Sequence, residues 1–587
     1  MCGIAGLMTT SGAAPPAEPL EKFLAALAHR GPDGQGRYRS GPFAMVQTRL
    51  AIIDLETGDQ PIYEPGGAAL VANGEIYNYR ELRDELTGHQ FATRSDCEPP
   101  LHLWRRDGAD FARHLRGMYA TAIYDPTAEA LVLARDPFGI KPLYYAETGN
   151  CLAFASEPRA LLEAGIVNRS LSPRPRDELL QLQFSTGIDT PFSGIRRVLP
   201  GEILTIGAGR IVSRRRISAL PEGPPANWSE AEALERLDAA LMDSIEMHQR
   251  SDVPYGLFLS GGIDSSVVLS LMARSGQAPV RAYTVGFPGT GVHDEREHAR
   301  TVAKRVGAEH IEVEVTEQDF WNLLPEIAAA VDDPTADYAL LPTYKLAAEA
   351  GKDVKVILSG EGGDELFAGY GRYRSTIRPW WLGGRAMRSR GIFDRLGVLR
   401  QEPTGWRDGI VAAESTLATP DRSRLQEAQA VDCADWLPND LLIKLDRCLM
   451  AHGVEGRTPF LDPRVAEVAF HLPDELKIRD GRGKYLLRKW LEKHLPEAHP
   501  FERKRGFTVP VGEWIGRRGA ELGPLIAAQP GVVELCVPER VIKLFRNPDK
   551  HQRFAAWTLL FYALWHRRHI LGLPSAGDVF ETLASTH

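Results

Sequence analysis

The chain has 587 residues, of which 43% are hydrophobic and 25% charged, and its formal net charge is −8. That length calls for at least two domains, each able to bury its own core, and the acidic balance argues against a nucleic-acid-binding surface. The longest strongly apolar stretch, near 554–565, falls short of the ~18 residues that span a bilayer, so no membrane association is expected. Nor does Met1 to Leu7 carry the basic leader and long apolar run of a secretory signal. Six cysteines (Cys2, Cys97, Cys151, Cys433, Cys448, Cys536) are scattered without a C-x-x-C pair, which disfavours a zinc site or a disulfide framework. The cytoplasm is the default compartment.

Cys2 directly follows Met1. If Met1 is removed, as a small second residue favours, Cys2 carries both a thiol and a free α-amine. An α-amine with a reference pKa of ~8 is partly unprotonated near neutral pH and can take the thiol proton. By position alone, a small hydrophobe in a first strand is the plainer reading. The apolar spacing predicts helices over 20–27 and 79–86. Short β-like segments at 119–124, 131–134, 142–145 and 152–155 are separated by turn residues, the pattern of antiparallel sheets. Among them stand His29-Arg30-Gly31-Pro32-Asp33, Arg49-Leu50-Ala51-Ile52-Ile53-Asp54, Asn73-Gly74-Glu75-Ile76-Tyr77-Asn78 and Ser95-Asp96-Cys97-Glu98.

With the Cys2 start, these strings resemble the glutaminase domain of class II amidotransferases, the N-terminal-nucleophile type. The resemblance implies an αββα sandwich over 2–210, with Cys2 as nucleophile. It also implies that Arg49 grips the α-carboxylate of glutamine and Asp96 its α-ammonium, while Asn73 and Gly74 form the oxyanion hole and Glu75 helps hold the substrate. The chemistry agrees: a guanidinium suits a carboxylate, and two fixed donors suit a developing oxyanion. Taken singly, Asn73-Gly74 is also a hairpin turn and Arg49 a surface ion pair. Pro99-Pro100 departs from the family, which continues here with apolar residues into a helix. Proline is tolerated in a first helical turn, so a shifted helix start is expected.

Residues 211–228, with Arg214-Arg215-Arg216 and Pro221-Glu222-Gly223-Pro224-Pro225, read as a surface linker. Ser229-Glu230-Ala231-Glu232 is a capping box, and the helix it opens places Ala231, Leu234, Leu237, Leu241 and Ile245 on one face. Beyond it, strands at 255–259, 281–287, 310–315 and 354–358 alternate with helices at 296–306, 320–331 and 344–350. That rhythm predicts a mostly parallel, doubly wound sheet with ligands beyond the carboxyl ends of its strands.

Two glycine-rich strings follow strands there. In Leu259-Ser260-Gly261-Gly262-Ile263-Asp264-Ser265-Ser266, the glycines let the backbone curl and the helix-start amides face negative charge. Ser260, Ser265 and Ser266 add hydroxyl donors, and Asp264 can hold a divalent cation against phosphates. No G-x-x-x-x-G-K-[ST] or G-x-G-x-x-G occurs in the chain. The string instead resembles the pyrophosphate loop of the ATP pyrophosphatases, which cleave ATP between the α and β phosphates. The second, Ser359-Gly360-Glu361-Gly362-Gly363-Asp364-Glu365, resembles the corresponding loop of asparagine synthetases. By that resemblance Ser359 and Gly360 contact the nucleotide, and Glu361 assists formation or aminolysis of an acyl-adenylate. Asp364 joins Asp264 on Mg2+, and Leu259 and Val285 pack on adenine or ribose, though core packing explains those two equally well.

Lys444-Leu445-Asp446-Arg447, the string from Gly453 to Asp462, and Gly483-Lys484-Tyr485-Leu486-Leu487-Arg488 are similar to the same family, which assigns Lys484 to the adenylation transition state. Arg503-Lys504-Arg505-Gly506-Phe507 is either a phosphate-side patch or a solvated one. Residues 378–400 and the tail 571–587 carry no readable chemistry. The whole is expected to be an α/β and α+β protein, with a synthetase domain over 229–570. The resemblance implies a glutamine-hydrolysing asparagine synthetase acting on glutamine, ATP and aspartate, in a family where some members form homodimers. The same chemistry on another carboxylate, of a peptide, sugar or secondary metabolite, stays open, as does a catalytically silent glutamine or ATP sensor. Asp337, Tyr338 and Thr343 are candidates for the acceptor pocket.

Overall fold

The computed structural model describes residues 2–276, 279–502, 508–546 and 548–585. Alternation of side chains builds the first half. In the strand Gly3–Thr9, Ile4 and Met8 face one core while Ala5 and Leu7 face another. One antiparallel sheet runs in the order Arg196–Arg197, Tyr144–Glu147, Cys151–Ala155, Gly3–Thr9, Phe43–Arg49, Gly34–Ser40. The other runs Arg210–Arg216, Glu202–Gly207, Ala130–Arg135, Gly117–Asp125, Ala69–Ile76, Ile62–Tyr63. Phe43, Met45, Val71, Ala122, Leu133 and Phe154 fill the space between them.

The outer faces are covered by helices. Leu20, Phe23, Leu24 and Leu27 of the helix Glu18–Leu27 pack on Ala5, Leu7, Ala44 and Val46. Leu82 and Leu101, from the helices Tyr79–Glu85 and Pro99–Asp107, pack on Leu70, Ile123 and Val132 of the second sheet. The result is the expected four-layer αββα sandwich. Pro99 and Pro100 open their helix directly after Glu98, where a missing N–H costs nothing. Arg214 to Arg216 differ from expectation. They are not linker but the end of the strand Arg210–Arg216, paired to Glu202–Gly207 with their side chains in solvent. Charge on an outermost strand blunts its open hydrogen-bonding edge, and it also hides the strand from any search for apolar alternation.

In the second half, Ser229 caps the helix Glu230–His248 by accepting from the Glu232 N–H at 3.2 Å. Five strands follow, all parallel, in the order Glu309–Glu314, Arg281–Gly286, Tyr255–Phe258, Val356–Leu358, Glu455–Arg457. Leu257, Val356 and Leu358 pack on Val267, Val268 and Leu271 on one face, while Ile357 and Val285 meet Leu340, Ala347 and Leu449 on the other. The winding reverses between Tyr255–Phe258 and Val356–Leu358, so the crevice for a ligand lies beyond their carboxyl ends. Both glycine strings are there. The apolar stretch near the C-terminus is a core helix, Lys550–His569, and no described helix is long and apolar enough to cross a membrane.

Buried ion pairs join the halves. Arg30 is fully buried and donates to Glu157 at 2.8 Å and to both oxygens of Asp446 at 2.8 and 3.0 Å. Arg116 pairs with Asp462 at 2.7 Å and Arg197 with Asp333 at 2.7 Å. Removing one partner of such a set strands the others in low dielectric. Arg30→Met is therefore expected to cost on the order of 3–5 kcal/mol, read as a lowered midpoint in thermal unfolding. An unchanged midpoint would show that the junction does not depend on this cation.

Two candidate active sites

Cys2 enters the strand Gly3–Thr9 from a buried position, and its N–H donates to Asn73 Oδ1 at 3.2 Å. Asn73 lies on the strand Ala69–Ile76 and is wholly buried, and its side-chain Nδ2 has no hydrogen-bond partner among the described residues. An orphaned buried donor beside a thiol is costly unless a ligand oxygen takes it. At Gly74 (φ +154°) a Cβ would sit 2.0 Å from the Met118 carbonyl oxygen, so the strand can approach its neighbour here only as glycine. Burial pushes the Cys2 thiol up, while the Leu50 backbone N–H and Arg49 pull it back.

Three charged groups surround the pair. Arg49 ends the strand Phe43–Arg49, and its guanidinium donates to the Asp54 carbonyl at 2.5 Å and to Asp59 at 2.8 Å. The Asp59 side chain is 82% exposed, so a substrate carboxylate can take its place without stranding a buried charge. Asp96 accepts from the Ile76 N–H at 2.8 Å, and burial pushes its carboxyl up to about 6. Burial, together with Asp96 and Glu455, holds Glu75 well above the usual carboxylate range. Its other neighbour is Arg457, 3.4 Å away on the edge strand of the parallel sheet.

The second site gathers at the reversal of that sheet. The loop after Tyr255–Phe258 is tied by its own hydroxyls: Gly262 N–H donates to Ser260 Oγ at 3.2 Å and Ser260 N–H to Ser265 Oγ at 3.2 Å. Gly261 takes φ +69°, and the helix Ile263–Ser275 then starts, with Ser266 fully buried. Asp264 projects toward the second loop, where a Cβ on Gly363 would come within 2.5 Å of its carboxylate and one on Gly360 within 2.8 Å of its Cβ. Lys484, almost wholly buried at φ +59°, bridges the two loops. Its Nζ contacts Asp264 and lies 2.7 Å from Asp364. A cavity of about 270 Å3 runs from Leu259 and Val285 past Ser260, Asp264, Ser359 and Gly360 to Glu361 and Lys444.

At that far end Lys444 lies 2.9 Å from Asp337 and 3.5 Å from Glu361, and these two carboxylates push its pKa up. Thr343 lines the cavity, and Asp337 reaches it through Lys444. Tyr338 is half-buried and is not among the cavity's lining residues. Residues 503–507 lie outside the described residues.

Against known proteins, residues 236–567 match the asparagine synthase family and residues 1–216 the glutamine amidotransferase domain. Asparagine synthetase [glutamine-hydrolyzing] 1 of Bacillus subtilis is 34% identical, covering 97% of both chains. The chain belongs to the glutamine-hydrolysing asparagine synthetase family. A putative asparagine synthetase [glutamine-hydrolyzing] of Mycobacterium tuberculosis is also 34% identical over 96% of this chain and 97% of that one. Asparagine synthetase B [glutamine-hydrolyzing] of Escherichia coli is 29% identical over 83% and 78%.

Against this synthetase frame, Lys444 stands out as a cavity residue to which its motif alone gave no role. Glu365 and Tyr370 join it there, the tyrosine hydroxyl donating to the carboxylate at 2.6 Å. Asp264 and Asp364, the two carboxylates at this end of the cavity, both pair with the Lys484 ammonium. Among the described residues there is no larger carboxylate or histidine cage for a metal.

Because an ammonium needs an ionised partner, kcat/KM for glutamine should fall about tenfold per pH unit below the Asp96 value of about 6. Asp96→Asn should abolish that limb; a flat profile down to pH 5 would refute the assignment. Asn73→Ala should lower kcat for glutamine hydrolysis by 10²–10³, on the order of an oxyanion donor, as measured by glutamate release.

Proposed function

We propose that the chain makes asparagine from aspartate, glutamine and ATP at two separate centres. At the first, the Cys2 thiol adds to the glutamine amide carbon. Asn73 Nδ2 and the Gly74 N–H receive the oxyanion, while Arg49, Glu75 and Asp96 hold the amino-acid end. The α-amine, freed by loss of Met1, takes the thiol proton and returns it to the departing ammonia. Water then hydrolyses the thioester to glutamate. The observation supporting this centre is the orphaned Asn73 amide beside a buried Cys2.

At the second centre, ATP lies in the cavity with its base and ribose against Leu259 and Val285 and its phosphates on Ser260 and Ser265, reaching the adjoining Gly261–Gly262 turn; Ser266, fully buried, is not in the cavity wall. Ser359 and Gly360 close over the nucleotide. Asp264 and Asp364 would hold Mg2+, which supplies charge neutralisation to the phosphates. The aspartate β-carboxylate attacks the α-phosphorus, and pyrophosphate leaves. Lys484 balances the negative charge that develops as that bond breaks. Ammonia, passed internally because ammonium in water is not nucleophilic, attacks the acyl carbon beside Glu361 and AMP departs. The free, buried state of all six cysteines agrees with a reducing compartment, the cytoplasm.

A different carboxylate acceptor is the second reading, since the Lys444 ammonium lining that end of the cavity would pair with any carboxylate. Pyrophosphate release with aspartate, compared with a panel of peptide and sugar acids, separates the two. Release with another acid and none with aspartate would overturn the first. Cys2→Ala should eliminate glutamine-dependent asparagine formation and preserve synthesis from ammonia, with mass spectrometry as readout. An intact mass retaining Met1 would remove the proposed base.

A further inference from the structure

Residues 371–400 hold eight arginines, no lysine and a single acidic residue, Asp394, in a chain where acidic residues outnumber basic ones by 77 to 69. Elsewhere, surface arginines are matched by carboxylates: Arg236 by Glu232 at 3.0 Å, Arg281 by Glu309 at 3.0 Å and Arg518 by Glu521 at 2.8 Å. Within this run, Arg372 and Arg388 turn inward to Asp432, at 2.7 and 3.6 Å. Arg378, Arg385, Arg390 and Arg395 are exposed and meet no carboxylate among the described residues. Positive charge gathered without a counter-charge repels itself and is relieved by salt or by an anionic partner.

The same run forms a loop with an apolar tip. Trp381 is 68% exposed and Leu382 64%, and among the described large hydrophobics left in solvent they are the only two adjacent in sequence. Backbone bonds close the loop behind them. The Leu382 and Gly384 N–H groups both donate to the Pro379 carbonyl at 3.0 Å, and the Arg385 N–H donates to the Ser375 carbonyl at 3.2 Å. The chain returns so closely that a Cβ on Gly384 would be 2.0 Å from the Arg378 carbonyl oxygen. Arg378 and Arg385 therefore stand together at the neck of the loop. Below them Tyr373 and Met387 are buried with Leu182, Phe184 and Leu425, so the tip rises from a fixed base. A solvated basic loop would account for the arginines, but not for two large apolar side chains held in water at its end.

We propose that this loop docks the protein on an anionic lipid surface, with Trp381 and Leu382 entering the headgroup region and Arg378 and Arg385 pairing with acidic headgroups. The amphipathic ring of tryptophan favours that boundary, and arginines beside an anionic leaflet add attraction to the burial of apolar area. A nucleic acid or an acidic peptide would satisfy the arginines and leave Leu382 in water. The acid excess of the chain as a whole repels the same surface, which leaves this loop as the point of approach. No described helix is long and apolar enough to cross a bilayer, and this contact needs none. The helix Gly371–Thr376, which leads into the loop, starts beside Tyr370 in the wall of the synthetase cavity, so docking brings that half of the chain to the surface. The contact is independent of which acid is amidated.

The test is co-sedimentation of the full-length protein with phosphatidylcholine vesicles, with and without phosphatidylglycerol. Binding is expected only with the anionic lipid, and high salt should release it, because exposed charges are screened. Arg378→Gln with Arg385→Gln should weaken partitioning roughly fivefold per arginine. Trp381→Ser with Leu382→Ser should weaken it about tenfold or more. Glutamine hydrolysis and pyrophosphate release without vesicles should be unchanged in both paired variants, which reports that they are folded; should one pair fail there, the other decides. Wild-type protein left in the supernatant with anionic vesicles, equal binding to neutral ones, or unchanged partitioning of the Trp381→Ser, Leu382→Ser variant would overturn the inference. Retention on soluble polyglutamate without vesicle binding would overturn it as well, and would assign the arginines to an acidic peptide instead.

Discussion

The arrangement depends on charge buried where the two halves meet. Arg30 from the sandwich is held by Glu157 of its own half and by Asp446 of the other, and Arg447 beside Asp446 reaches Asp332 at 2.8 Å. Ion pairs out of water contribute little net stability, because desolvation offsets most of the attraction. They do penalise every misaligned docking, since any shift leaves a guanidinium or carboxylate unpaired in low dielectric. Here the charges fix the register of two halves whose chemistry has to meet.

That register has a visible result on the edge strand Glu455–Arg457. The Arg457 side chain approaches Glu75, next to Asn73 and Gly74, and its carbonyl accepts from the Ser359 N–H at 2.9 Å. The strand pairs in parallel with Val356–Leu358, whose end carries Ser359, Gly360 and Glu361. One short strand therefore touches the proposed glutamine-hydrolysing centre with a side chain and the proposed synthetase centre with its backbone. The fold has placed the two centres as neighbours through an edge, with no third domain between them.

Much of this was legible in the sequence because the chemistry is written in contiguous strings. Asn73-Gly74-Glu75 sits on one strand, and the pyrophosphate loop is one turn, so residue order is nearly spatial order. The same holds for the parallel sheet, whose alternation of strands and helices survives without knowledge of partners. Pairings at long separation were not legible. Lys444 and Asp337 are 107 residues apart, and Arg116 and Asp462 are 346 apart. Neither member of such a pair announces the other, and a helical lysine otherwise reads as solvated. The arginine-rich strand Arg210–Arg216 was missed for a different reason: its burial is set by an open sheet edge, not by a core.

The glycines around Asp264 bear on how this scaffold can change. Added side-chain carbon at Gly360 or Gly363 would collide with Asp264, and at Gly369 with Asp364. At these three positions of the crevice only glycine fits. The opposite end is walled by Ala339 and by Thr343 and Leu346 on the helix Leu340–Ala350, ordinary residues in regular backbone. An engineer seeking room for a different acid has its latitude there, where no glycine is pinned against a carboxylate.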